Sequence, residues 1–181
     1  MLRVIAGSAR GIELRQPSGR GTRATSARLR EALFSMLEAA DADFTAVLDL
    51  YAGTGALGIE ALSRGGDHAT FVESDSRVTQ LIQENLERTR LAEDGTVITA
   101  KVGRWRPPAD SSYTLVVADP PYDEGTAWDA IAATVSGALA AHAMVVVEHS
   151  ARVPPPERLA DLEQWRDRRQ GDGAVAIYRR P

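Results

Sequence analysis

The sequence contains no cysteine, and this absence excludes disulfide bridges, thiol nucleophiles and thiolate metal sites. It has only three histidines, at positions 68, 142 and 149, and none has a second ligand at helical or hairpin spacing, so we expect no metal. No stretch approaches the roughly 20 apolar residues of a membrane span. The amino-terminal residues lack the longer apolar run of a secretory signal. These absences predict a cytoplasmic protein that does not bind a membrane.

The charge of the chain is unevenly distributed. With 181 residues, 44% of them hydrophobic, the chain can bury a core of its own, and its formal net charge is -4. Residues 1–40 nevertheless carry seven arginines against three glutamates, so the first segment is basic and the remainder is acidic. This division indicates that the first segment meets a polyanion, although a solvated basic surface explains it equally well.

Residues 1–40 are predicted to form a small extension made of a hairpin and a helix. Two short strands are predicted at 2–6 and 12–14, separated and followed by Gly-rich turns. Thr25 or Ser26 can cap a helix that runs to about Leu37, with leucines at 29, 33 and 37 on one apolar stripe. We expect this stripe to pack inward and the arginines to face solvent.

From residue 46 onward, strands and helices alternate. Apolar runs predict strands at 46–50, 69–73, 96–102, 113–118 and 143–148, and helices at 56–64, near 78–86 and at 127–139. Ser74 or Asp75 is the expected cap of the second of these helices. Segments 162–169 and 174–178 flank a glycine turn and predict a hairpin. This order predicts an α/β fold whose sheet is mostly parallel, with an antiparallel edge.

A glycine-rich loop joins the first strand of this sheet to the next helix. Gly53, Gly55 and Gly58 fit the pattern G-x-G-x-x-G, and Glu73 ends the next strand, where a nucleotide ribose is usually bound. The spacing fits NAD as well as S-adenosylmethionine. Asp49 favours the methyl donor, because a carboxylate there would repel a pyrophosphate but can pair with the ammonium of a methionine group, directly or through water. The alternative is a tight turn without a ligand.

The tetrapeptide Asp119-Pro120-Pro121-Tyr122 follows directly after the strand at 113–118. Ligands of open α/β sheets bind at the carboxyl ends of the strands, so this turn and the glycine loop should open on one crevice. The Asp119 carboxylate and the Pro120 carbonyl can each accept an N–H from an aromatic amino group and turn its lone pair towards a methyl donor. The prolines keep these acceptors rigid. Tyr122 can stack on the base, a contact of about 1–3 kcal/mol.

Together, segments 49–55 and 119–122 resemble the cofactor loop and the amino-methylating motif of class I S-adenosylmethionine-dependent methyltransferases. Nearly the whole chain resembles a narrower group, the RsmD-type 16S ribosomal RNA guanine-N2 methyltransferases, through segments 3–7, 25–34, 56–65, 72–73 and 148–149. That resemblance implies a Rossmann-like, mostly parallel seven-stranded sheet with helices on both faces. It also implies a monomer that methylates a specific guanine, guanine 966 of 16S ribosomal RNA, in the assembled or assembling small subunit.

The resemblance further implies roles for individual residues. Residues 119–122 would hold the target base, and residues 1–40 would be an RNA-binding extension of a catalytic domain formed by residues 41–181. Adenine is often contacted by an acidic or amide residue after the third strand, where this chain has Val102-Gly103-Arg104-Trp105, so a backbone contact at Gly103 or apolar packing is expected instead. The expected cofactor contacts are Asp49, Tyr51, Gly53, Gly55, Glu73, Gly103 and Asp119. The expected contacts to RNA phosphates are Arg3, Arg10, Arg23, Arg28 and Arg30.

Other functions fit parts of the same pattern. An amino-methylating enzyme acting on adenine N6 or cytosine N4 of DNA or RNA would use the same Asp-Pro-Pro-Tyr turn. An NAD-dependent oxidoreductase would use the same glycine loop and Glu73. A non-catalytic RNA-binding assembly factor would retain the fold without the reaction.

Overall fold

The computed structural model describes residues 1–17, 26–121 and 125–181. Its α-helices are α1 (Ala27–Ala39), α2 (Ala56–Ser63), α3 (Ser76–Thr89) and α4 (Ala127–Val135). Its strands are β1 (Ala46–Leu50), β2 (His68–Glu73), β3 (Gly95–Thr99), β4 (Tyr113–Ala118), β5 (Leu139–Ser150), β6 (Arg158–Leu159), β7 (Leu162–Gln170) and β8 (Gly173–Arg179).

The described strands form one twisted sheet in the order β3-β2-β1-β4-β5-β8-β7-β6. Strands β1 to β5 run parallel, and β8, β7 and β6 complete the sheet as antiparallel neighbours. The predicted α/β fold with a mostly parallel sheet and an antiparallel edge is therefore confirmed. The sheet has eight strands where seven were expected. The additional strand is β6, which pairs with β7 over only two residues.

Helices cover both faces of this sheet. On one face, Val47 of β1 joins a core formed with the apolar sides of α1, α2 and α3. On the other face, Leu48 and Leu50 pack with Ile131 and Val135 of α4. Because successive side chains of a strand point to opposite faces, β1 reads as an almost unbroken apolar run.

The boundary between α4 and β5 differs from the prediction. The helix was expected to continue to residue 139, but it ends at Val135, and Gly137 turns the chain with a φ of 76°. Strand β5 then runs from Leu139 to Ser150, longer at both ends than the predicted 143–148. Apolar periodicity does not distinguish the end of a buried helix from the start of a buried strand in such an alanine-rich stretch.

The amino-terminal residues pair more briefly than predicted. Instead of two extended strands, Arg3 and Glu13 form a single antiparallel bridge, flanked by backbone hydrogen bonds from Val4 N to Ile12 O (3.0 Å) and from Leu14 N to Leu2 O (2.9 Å). Helix α1 confirms the predicted leucine stripe, and its cap is Ser26, whose hydroxyl accepts from Leu29 N. Thr25, the other expected cap, lies outside the described residues.

A buried carboxylate fastens this segment to the sheet. Glu60 of α2 is 0% exposed and accepts backbone N–H groups from Ile5 (2.8 Å) and Ala6 (3.0 Å). Arg64 Nε donates to the same carboxylate at 2.9 Å. The described part of residues 1–40 therefore shares its core with the sheet, and Leu2, Val4 and Leu14 are buried in it.

Arg30 corrects the expectation that the arginines of this segment face solvent. Its side chain is 1% exposed, it donates to the backbone carbonyl of Arg3, and its Nε lies 3.8 Å from Glu60 Oε2. Burial lowers the pKa of Arg30, while the negative charge of Glu60 opposes this shift. Arg30 is thus part of the interior and cannot reach an RNA phosphate in this fold.

Candidate active site

The glycine loop begins where β1 ends. Tyr51 and Gly53 both have a φ of 55°, a left-handed conformation that is unusual for tyrosine. Gly58, in the first turns of α2, packs so closely on β2 that an added Cβ would lie 2.4 Å from the Phe71 ring. A Cβ at Gly53 would meet nothing nearer than the Tyr51 carbonyl oxygen, at 3.9 Å. The loop therefore closes tightly on β2 at Gly58 and leaves space beside Gly53.

Asp49 lies inside the protein, beneath this loop. It is 1% exposed, and its Oδ2 accepts the backbone N–H of Gly58 at 2.8 Å. Burial raises the pKa of Asp49 well above its ordinary value, the Gly58 hydrogen bond opposes the shift, and the charges of Asp119 and Glu73 add to it. One oxygen of the carboxylate thus ties β1 to the start of α2.

Glu73, at the end of β2, connects the glycine loop to the start of α3. Its Oε2 accepts the N–H of Gly53 at 3.0 Å. Its Oε1 accepts the N–H groups of Ser74 at 2.7 Å and of Asp75 at 3.0 Å. Asp75 in turn caps α3, which confirms one of the two predicted caps. The carboxylate predicted for a ribose therefore lies against the loop predicted for the rest of the cofactor.

Asp119 follows β4 at the same edge of the sheet. Its backbone N–H donates to the carbonyl of Leu50 at 3.4 Å, so the ends of β1 and β4 are joined directly. Asp119 is partly exposed, Pro120 is buried and Pro121 is exposed. Tyr122, the fourth predicted catalytic residue, lies outside the described residues.

Three acidic residues of this site interact electrostatically. Asp49, Glu73 and Asp119 end or follow adjacent parallel strands, and the charges of Glu73 and Asp119 are both felt at Asp49. Like charges raise each other's free energy, and a cation placed among them relieves the repulsion. The crevice therefore suits a ligand with a positive group and disfavours a pyrophosphate.

Gly103 has a structural role that the sequence did not suggest. Its backbone N–H donates to Thr134 Oγ1 at 2.9 Å. An added Cβ would lie 2.9 Å from the Cβ of Ala130 in α4. The expected backbone contact to adenine cannot come from the N–H of Gly103 in this arrangement, because α4 already engages it.

The predicted RNA-contacting arginines differ in their exposure to solvent. Arg3, Arg10 and Arg28 are exposed. Arg3 donates to Gly11 O at 3.0 Å and lies 3.9 Å from Glu13. Arg23 lies outside the described residues, and Arg30 is buried as shown above.

Sequence reasoning missed Asn85, which couples three parts of the molecule. This residue of α3 is 0% exposed; its Oδ1 accepts Arg15 N at 2.7 Å, and its Nδ2 donates to Thr54 O at 2.9 Å and to Arg15 O at 3.1 Å. The amino-terminal segment is thereby linked to the glycine loop. The available signal was an amide on the apolar side of a helix, between Ile82 and Leu86.

The surroundings of His149 were also not predicted from the sequence. It lies on β5 near the edge of the sheet that carries Asp119, and its Nε2 is 2.9 Å from Asp167 Oδ1. The Trp128 ring of α4 lies 5.9 Å from the His149 ring. This cluster fixes the histidine beside the carboxyl ends of the central strands.

Within residues 1–17, 26–121 and 125–181, no group of three or more histidines, aspartates or glutamates could hold a metal ion. No helix in the same part of the chain is long and apolar enough to cross a bilayer.

Comparison with known proteins gives consistent matches over the full length. The family model described as conserved hypothetical protein 95 matches residues 2–179. A putative rRNA methyltransferase of Bacillus subtilis, YlbH, is 34% identical over 99% of this chain and 99% of its own. The ribosomal RNA small subunit methyltransferase D of Escherichia coli is 33% identical over 99% of this chain and 90% of its own. A solved structure of a putative methyltransferase from Escherichia coli, yhhF, superposes with a TM-score of 0.84 at 32% identity, covering 99% of this chain and 97% of that one.

Proposed function

Because this chain belongs to the family described as conserved hypothetical protein 95, that of the RsmD-type methyltransferases, we propose that it methylates the exocyclic N2 of one guanine in 16S ribosomal RNA. The methyl donor is S-adenosylmethionine. The nucleotide is guanine 966, in the assembled or assembling 30S subunit. The protein acts as a monomer in the cytoplasm without a metal, with residues 1–40 as the RNA-binding extension and residues 41–181 as the catalytic domain. The names of both relatives support ribosomal RNA as the substrate class.

The observation that carries this proposal is the convergence of Asp49, Glu73 and Asp119 at the carboxyl ends of adjacent strands. S-adenosylmethionine carries a sulfonium and an ammonium, and both are positive groups of the kind this crevice suits. When bound, it supplies an electrophilic methyl group. NAD would instead bring a pyrophosphate next to Asp49, and like charges would repel it.

Residues around the glycine loop hold the cofactor. Glu73 would hold the ribose hydroxyls, and the hydrogen bond from Gly53 N keeps its carboxylate at the loop. Tyr51 and Gly53 form the turn beside the methionine end, and Asp49 stabilises that turn through Gly58. The Asp49 carboxylate would also attract the ammonium group of the cofactor's methionine part. The loop that Gly103 and Thr134 fix against α4 would lie beside the adenine.

Asp119 and Pro120 orient the target amino group. The lone pair of a guanine N2 is delocalised into its ring, so the nitrogen must be turned more than deprotonated. The Asp119 carboxylate and the Pro120 carbonyl would each accept one N–H, which would turn the lone pair towards the methyl donor. The methylated nitrogen would be acidic and would give its proton to Asp119 or to water. Tyr122 stacks on the base.

The substrate contacts come from the exposed part of the basic segment. Arg3, Arg10 and Arg28 are exposed and meet RNA phosphates together with Arg23. Arg30 is not part of this set.

Substitution of Asp119 tests the proposal. Asp119→Ala should reduce the rate of label transfer from S-adenosylmethionine to unmodified small subunits by about 10²–10³-fold, as for the loss of one preorganised polar contact at a reacting group. Binding of RNA should persist. Asp129→Asn, an exposed carboxylate in the first turn of α4, is the matched control and should transfer at the wild-type rate. Unchanged transfer by Asp119→Ala would refute the role of Asp119, and binding of NAD without S-adenosylmethionine in calorimetry would refute the reaction.

A further inference from the structure

The antiparallel hairpin β7–β8 carries arginines that form no ion pair with the described residues of the protein. Residues 162–180 contain five arginines and three acidic residues, in a chain whose net charge is -4. Two of these arginines are in ion pairs, Arg169 with Asp167 (3.9 Å) and Arg180 with Asp161 (2.9 Å). The other three, Arg166, Arg168 and Arg179, are exposed and have no ion pair within residues 1–17, 26–121 and 125–181.

These three arginines lie on one face of the sheet. Arg166 is paired with Ile177 and Arg168 with Val175, and residues directly opposite each other on antiparallel strands share a face. Val175 and Ile177 belong to the core under α1, α2 and α3. Arg179 follows Ile177 by two positions on β8 and therefore points to the same side. We call Arg166, Arg168 and Arg179, with Trp165, the arginine stripe.

Trp165 orders two of the guanidinium groups. The guanidinium carbons of Arg166 and Arg179 each lie 4.4 Å from the centroid of the Trp165 ring. Both contacts fall within the range of favourable cation–π interactions. They also hold two positive charges beside one ring. Glu163, directly opposite Arg179 in the register, is ion-paired with Arg158 instead, at 2.8 Å. A stacked guanidinium keeps its edge N–H groups available for bidentate bonds to phosphate oxygens.

The position of the stripe relative to the active site suits a bound strand. Arg168 is level with Glu148 through Val175, at the sheet edge that bears Asp119. Arg179 is level with Met144, four residues further back, which is about 14 Å along the strand. Helix α1 packs against β8 on this face and exposes Arg28, one of the proposed RNA contacts. The stripe therefore starts near the catalytic edge and runs towards the basic extension.

We propose that the arginine stripe binds the phosphate backbone of the ribosomal RNA that flanks the target guanine. This inference rests on the proposed function and adds a second contact surface, on the carboxyl-terminal hairpin, to the amino-terminal one. Trp165 acts as a positioning residue, because it reduces the conformational freedom that Arg166 and Arg179 lose on binding.

Salt-dependent RNA binding tests the stripe. The probe is unmodified 16S ribosomal RNA, with dissociation constants of full-length variants measured across a range of salt concentrations. Each of three variants should weaken binding about threefold: Arg166→Ala, Arg168→Ala and Arg179→Ala. In each, the decline of log K with log salt should become less steep, its slope smaller in magnitude by about 0.7–0.9. Arg90→Asn is the control. It removes an exposed arginine at the end of α3, which packs on β2 and β3 at the other end of the strand order, and asparagine tolerates its φ of 60°. This variant should bind as the wild type. Wild-type affinity and slope in all three variants would overturn the inference.

Trp165 variants separate positioning from folding. Trp165→Phe keeps an aromatic ring and should retain RNA affinity, whereas Trp165→Leu should weaken binding with little change in the salt slope, because both arginines remain. Equal affinities for the two variants would overturn the positioning role. Wild-type protein that neither binds nor methylates small subunits lacking the modification would instead refute the proposed function. Variants that bind naked RNA normally but not the small subunit would assign the stripe to an acidic protein and overturn the RNA assignment.

Discussion

At the scale of single residues, Asp49 illustrates how one carboxylate serves both fold and site. Its hydrogen bond to Gly58 N ties β1 to α2, while its burial near Glu73 and Asp119 makes its ionised form costly. The native state therefore holds the Asp49 proton more tightly than the unfolded chain does. A cationic ligand group in the crevice would reverse that preference.

The raised pKa of Asp49 predicts a specific dependence of stability on pH. Since the unfolded carboxyl titrates near 3.8, the native state binds one more proton than the unfolded state between that pH and the raised native pKa. The free energy of unfolding contributed by this group therefore falls as pH rises through that interval, by at most about 1.4 kcal/mol per pH unit. Asp49→Asn should lack this decline in urea denaturation measured from pH 4 upward.

Comparison with a control isolates the effect. The unfolding free energy of the wild type minus that of Asp49→Asn should fall with increasing pH. Asp110→Asn, at an exposed position, should differ from the wild type by a constant amount. A constant difference for Asp49→Asn as well would contradict the buried, proton-binding state.

The residue scale also shows where sequence reasoning fails. Asp119, Glu73 and the glycines could be located because motif spacing places them at strand ends. Arg30 could not be assigned to the interior, because its burial depends on Glu60 of another helix, 30 positions away. The N–H of Gly103 was likewise engaged by a threonine of α4 that no local pattern connects to it.

At the scale of elements, the docking of the amino-terminal turn on α2 is the least obvious feature of the fold. Gly7 and Gly11 both adopt left-handed φ angles, 81° and 82°. They differ in their surroundings: an added Cβ at Gly7 would lie 1.6 Å from the Ser63 carbonyl oxygen, while one at Gly11 would meet nothing within 4 Å. The pair therefore separates backbone strain from steric contact.

Alanine at these two glycines should have unequal effects. Both substitutions incur the left-handed strain of about 1–2 kcal/mol. Gly7→Ala must also push the segment off α2, so it should lose about 1–3 kcal/mol more unfolding free energy than Gly11→Ala. Urea denaturation of both variants measures the difference. Equal losses would show that the amino-terminal turn does not pack on α2 as described.

Elements with strong, isolated patterns were predicted well. Strands β1 and β4 match their apolar runs residue for residue, because buried central strands are apolar on both faces. The boundary of α4 and β5 was wrong because alanine-rich sequence supports either state. The brief pairing at Arg3 and Glu13 was overestimated, because glycine turns indicate a reversal of the chain but not how far the strands pair.

At the scale of the whole molecule, the common edge of the sheet explains why distant motifs could be joined from sequence. Parallel strands β1, β2 and β4 end at one edge, so Asp49, Glu73 and Asp119 had to meet there. The link between the amino-terminal segment and the glycine loop through Asn85 could not be foreseen, because it requires the packing of three elements. Through that link, residues 1–17 are hydrogen-bonded to the glycine loop.

Mapping of the modified nucleotide tests the central claim most directly. Small subunits that lack the modification are incubated with the protein and labelled S-adenosylmethionine, and the methylated nucleotide is located by mass spectrometry. A guanine-N2 methyltransferase of 16S ribosomal RNA places the label on a single guanine, at guanine 966, as an N2-methyl group. Label on adenine, on cytosine or on DNA, or no transfer at all, would contradict the account.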